Sequence, residues 1–71
     1  MDASDINNRF SFHQATPENN KGATHDSIRG ECLALASTLN VLLPEGREKS
    51  LAITHLEEVM MWSNAAVARS N

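Results

Sequence analysis

From Arg47 to Arg69 the chain reads REKSLAITHLEEVMMWSNAAVAR, with no glycine and no proline inside it. Nothing in that run opposes a helix, and no turn signal interrupts it. Folded as one helix it would be about 34 Å long. Its apolar residues Leu51, Ile53, Leu56, Val59, Met60, Met61, Trp62 and Val67 do not share one stripe. A single partner helix covers only a narrow face. The surplus predicts contact with other chains, and therefore a function at subunit interfaces.

A second helix is predicted over residues 24–43. Thr24 suits an N-cap, and Asp26 would then sit in the first turn, where negative charge favours the helix dipole. Ile28, Cys32, Leu35, Leu39 and Leu42 follow alternating steps of four and three, an a/d seam. Gly30 costs about 1 kcal/mol of helix propensity, which would be repaid if a backbone or ligand came close. Pro44 stops the helix, and Glu45-Gly46 makes a short connection. Two long helices so joined form an antiparallel hairpin. Ile53, Leu56, Met60, Ser63 and Val67 would face the first helix. Ala65, Ala66 and Ala68 would permit close approach at the far end.

Residues 1–23 are polar, with Pro17 and Gly22 and only Ile6, Phe10 and Phe12 as large apolar side chains. They read as an irregular arm carrying at most a short helical turn, with TPENNKG as loop. The expected fold is thus all-α: an N-terminal arm over residues 1–23 and a helical hairpin over 24–71, in one domain.

At 71 residues the core is small, and oligomerisation is a common remedy. The other remedies are not evident. Cys32 is the only cysteine, and His13, His25 and His55 are scattered without metal-site spacing. No apolar run reaches the length of a membrane span, and the polar start MDASDINNRF does not resemble a signal peptide. A cytosolic protein is expected. The formal net charge of -3 disfavours binding to long nucleic acid, but permits a small anion held by a few focused cations.

Enzyme chemistry finds little support. Cys32 falls on the apolar seam, where a packed thiol is the better reading. Adjacent Glu57 and Glu58 point in different directions on a helix and cannot act as a pair. No phosphate-cradling loop or metal motif is present. No enzyme activity and no cofactor are expected. The segment Arg9-Phe10-Ser11-Phe12-His13 carries two rings and an imidazole beside a cation, a set that suits a nucleobase and a phosphate. The same rings could instead plug the open end of the hairpin. Arg29, Arg47 and Lys49 are the helix cations, either solvated or reaching across an interface. Arg29, at the edge of the seam, could fork onto phosphate oxygens. Thr54 could add a hydroxyl. Trp62 reads as a core or interface anchor, and Asn64 as a register-setting polar residue.

On RFSFH, the lone Arg29 and the long run from Arg47, the chain resembles the small phage proteins that sequester cyclic oligonucleotide signals, the anti-CBASS sponges. Their hairpin domain is shared with a class of anti-Thoeris sponge. The resemblance covers residues 9–69. The chain differs in having Gln14 where proline often follows the histidine, and Glu45-Gly46 in place of an Asp-Ser turn. The resemblance implies a homohexamer of hairpins with pockets between protomers, acting in the host cytosol. Cyclic dinucleotides would lie in those pockets, with Phe10 or Phe12 stacking on a base, Arg29 on phosphate and Thr54 as the hydroxyl. Ile53 stands where the family has a second-helix arginine. A separate cyclic-trinucleotide site would draw on Arg9, His13 and Arg47. Signals of the ADP-ribose type are further candidates. The alternative is an oligomeric helical adaptor with no nucleotide ligand.

Overall fold

A computed structural model describes residues 1–10 and 21–70, and among these every regular element is helical. In chain order they are α1 (Ala3–Arg9), α2 (Lys21–Leu42) and α3 (Arg47–Arg69). The molecule is elongated, 41 × 18 × 15 Å.

The bounds of α3 are those expected. Helix α2 begins three residues before Thr24, which therefore lies inside it rather than capping it. Gly22 and Ala23 carry no group that competes with helical hydrogen bonds, and Pro17 lies too far upstream to interfere. Asp26 is past the first turn, and its carboxylate accepts from Arg29 Nη2 at 2.7 Å. At the other end Leu43 N–H still donates to Leu39 O at 2.9 Å before Pro44 halts the helix. The chain then turns through Gly46, whose φ of 154° and ψ of -179° lie in a region open essentially to glycine.

Residues 1–10 hold more regular structure than their composition suggests. Asp2 caps α1: its Oδ1 accepts from both the N–H and the hydroxyl of Ser4 at 2.8 Å. Asp5 in the first turn and Arg9 in the last complement the helix dipole. One turn apart, Ile6 and Phe10 project from the same face and are fully buried against the hairpin.

The core combines Ile6, Phe10, Cys32, Ala36, Ile53 and Met60, with Ile28, Leu33, Leu39 and Leu56 packed around them. Of the expected α3 face, Ile53 and Met60 are buried in the core and Leu56 packs against it, whereas Ser63 and Val67 are only partly covered. On α2 the seam shifts. Leu35 and Leu42 are exposed, and Ala36 is buried in their stead. The cause is geometric. A straight α-helix has 3.6 residues per turn, so a strict a/d pattern drifts off the contact line. The small side chain of Ala36 leaves room for the large ring of Phe10.

Two polar bonds fix the hairpin register. Near the turn, Lys49 Nζ donates to Asn40 O at 2.9 Å and to Glu45 Oε2 at 2.8 Å. Toward the open end, His25 Nδ1 and Asn64 Oδ1 are 2.7 Å apart, so the histidine tautomer with the proton on Nδ1 donates. Asn64 thus has the register role its sequence context suggested. Lys49, read from sequence as a surface cation, is in fact 4% exposed. Glu45 also accepts the Met1 amine at 2.8 Å, which ties the start of α1 to the turn.

Candidate functional site

Helix α1 starts at the turn and ends near the middle of α3. It therefore lies along the closed half of the hairpin, and Phe10 fills the core there instead of plugging the open end. At the end of α1, Arg9 reaches over to α3. Its Nη1 is 3.5 Å from Thr54 Oγ1, a long hydrogen bond, and 3.8 Å from Glu57 Oε1. Both Arg9 and Glu57 keep about a third of their side-chain surface exposed. At these distances the guanidinium is positioned without being consumed, and its charge still faces solvent.

Arg9 and Thr54, taken from separate expected sites, therefore form one cluster. Glu57 belongs to it as well, a role missed in the sequence. The i,i+3 spacing of Thr54 and Glu57 placed them on one face, but nothing local showed that Arg9 would arrive there. Glu57 and Glu58 do diverge as expected. Glu58 turns outward, with its Oε1 3.4 Å from His55 Nδ1.

The other candidate cations are spread along the hairpin. The pairs His25–Asn64 and Asn40–Lys49 set Arg29 level with Met60 and Met61. That is about 9 Å along the axis from Thr54. Arg47 opens α3 beside the turn, about 10 Å from Thr54 in the other direction. One chain thus supplies a row of cations, not a closed phosphate cradle. Phe10, buried in the core, presents no ring face to a base. Phe12, the other candidate stacking residue, and His13 lie outside the described residues. Ile53 is fully buried, so the position where the family has an arginine belongs here to the core.

Cys32 is free and buried, and loss of water pushes its thiol pKa up, with a smaller contribution from Glu31. That matches a packed thiol and disfavours a thiolate nucleophile. Among the described residues no group of three or more His, Cys, Asp or Glu side chains could hold a metal ion. No helix among them is long and apolar enough to cross a membrane.

Besides the cation row, the surface carries an open apolar groove of about 450 Å³ between α2 and α3. Glu31, Cys32, Ala34, Leu35, Thr38, Leu56 and Val59 line it. Val41, Leu42, Leu51, Met61 and Trp62 are also exposed. That is much apolar surface for so short a chain.

Comparison with curated proteins and with solved structures gives no match. Comparison with family models gives one, over residues 1–68, described as Acb2/Tad1, hairpin domain. The match takes in α1, α2, all of α3 but Arg69, and every candidate site residue. This chain belongs to the Acb2/Tad1 hairpin-domain family.

Proposed function

We propose that this protein is a phage anti-defence sponge: it binds cyclic di- or trinucleotide immune signals without cleaving them and so keeps CBASS effectors from being activated. The carrying observation is the family match along residues 1–68. The geometry supports the reading in two ways. Among the described residues Arg9 makes long contacts to Thr54 and Glu57, and a phosphate can take the place of either at little cost. The cations also form a row that needs a neighbouring protomer to become a pocket. A two-fold pair of protomers would offer the same groups to each half of a cyclic dinucleotide. Charge-assisted bonds to phosphate contribute about 1.5–3 kcal/mol each, and a stacked base about 1–3 kcal/mol. Sequestration needs affinity and no turnover, which is why no catalytic role is assigned to any residue.

Thermal unfolding against a panel of cyclic dinucleotides, cyclic trinucleotides and cyclic ADP-ribose isomers tests the proposal. Ligand at 100 times its Kd adds about 2.7 kcal/mol to stability. For a domain of this size that raises the midpoint by about 10 °C or more. Arg9→Ala and Arg29→Ala should each reduce the shift while the helical signal and the oligomer are retained. No shift with any ligand, together with capture of a protein partner lost in Trp62→Ala, would favour the adaptor reading suggested by the exposed apolar residues.

A further inference from the structure

The outward face of α3, turned away from α2, carries a row that the hairpin does not use. Leu51, His55, Glu58 and Trp62 follow steps of four, three and four, and all are exposed, Trp62 at 67%. Met61 and Val59, also exposed, flank the row on either side of Trp62. The row is symmetric about the point between Leu56 and Glu57. Leu51 lies as far before that point as Trp62 lies after it, and His55 as far before as Glu58 after.

We infer that this face pairs antiparallel with the same face of a second copy of the chain, across a two-fold axis passing between Leu56 and Glu57. The inference deepens the assembly part of the proposed function and does not depend on nucleotide binding. In such a pair Leu51 of each copy meets Trp62 of the other, and His55 of each meets Glu58 of the other. Every contact is then between a large apolar pair or between a base and an acid. A parallel pairing would set Glu58 against Glu58 and His55 against His55, which like charge disfavours. Seams of a and d positions interdigitate in either direction, and the antiparallel one sets each a position against a d position. It is isologous, as a closed dimer requires. Trp62 becomes the buried anchor and the two His55–Glu58 pairs lie at the centre. On one chain alone, an indole flanked by Met61 and Val59 has no neighbour to cover it.

The test is disulfide trapping in the full chain without nucleotide. Leu51→Cys and Trp62→Cys proteins are prepared separately, then unfolded, mixed, refolded together and mildly oxidised. A disulfide-linked dimer several-fold more abundant in the mixture than in either protein alone is the expected result. His55→Cys mixed with Glu58→Cys repeats the test without removing an apolar side chain. Equal linking in each protein by itself would show a parallel or random contact and overturn the inference. So would no linking in either mixture. A chain that binds no cyclic nucleotide would still link in this register, and a ligand-binding chain that fails to link would retain its thermal shift, so the two readings fail separately.

Discussion

Glu45 holds two cations at once, the Met1 amine and the Lys49 ammonium. Those bonds, that from Lys49 foremost, lower its carboxyl pKa from 4.5 to about 2. A carboxylate lowered on folding stabilises the native state above its unfolded pKa and loses that contribution as pH falls through the folded one. Wild type should therefore lose stability between about pH 4.5 and about pH 2. Glu45→Gln should be the less stable protein at pH 6, with the gap closing toward pH 2. Thermal midpoints of both proteins across that range decide it, and a gap independent of pH would detach Glu45 from the effect. Part of this arrangement was legible in the sequence, since Glu45 and Lys49 stand at the i,i+4 spacing that favours a pair. Its burial was not, because Lys49 is covered only once Asn40 and the start of α1 come back across the turn.

At the scale of the element, helix α3 could be bounded from sequence alone because glycine, proline and a short turn punctuate it. Helix α1 could not, because seven residues make a marginal helix that owes its stability to burial of Ile6 and Phe10. Helix α2 carries Gly30, which the sequence reads as a place of close approach. Around Gly30, however, a Cβ would meet nothing within 4 Å. Within the single chain, Gly30→Ala is therefore expected to stabilise α2 by about 1 kcal/mol, the difference in helix propensity. Urea unfolding at low protein concentration measures it. A loss of stability that grows with protein concentration would mean that another copy approaches Gly30 in the assembly.

At the scale of the molecule, three helices share one small core, and Phe10 joins α1 to the other two. Phe10→Ala should cost about 3–5 kcal/mol, as for other buried aromatic truncations. The urea midpoint should fall sharply for a domain this small, whereas an unchanged midpoint would mean that α1 folds apart from the hairpin. The candidate site was half legible for the same reason. Arg9, Arg29, Arg47 and Thr54 could be named by type, but their spacing depends on where α1 ends along α3. By type Phe10 suits either a base or a plug at the open end of the hairpin, and only its neighbours place it in the core. The two polar clasps, Lys49 on Asn40 near the turn and His25 on Asn64 toward the opening, have a mechanical effect. To slide α2 along α3 by one turn would break both at once and strand a buried ammonium. The hairpin is therefore a stiff strut, fixed in length and in twist. In the proposed assembly, guests of different size would be met by such struts tilting against one another, as a truss moves at its joints.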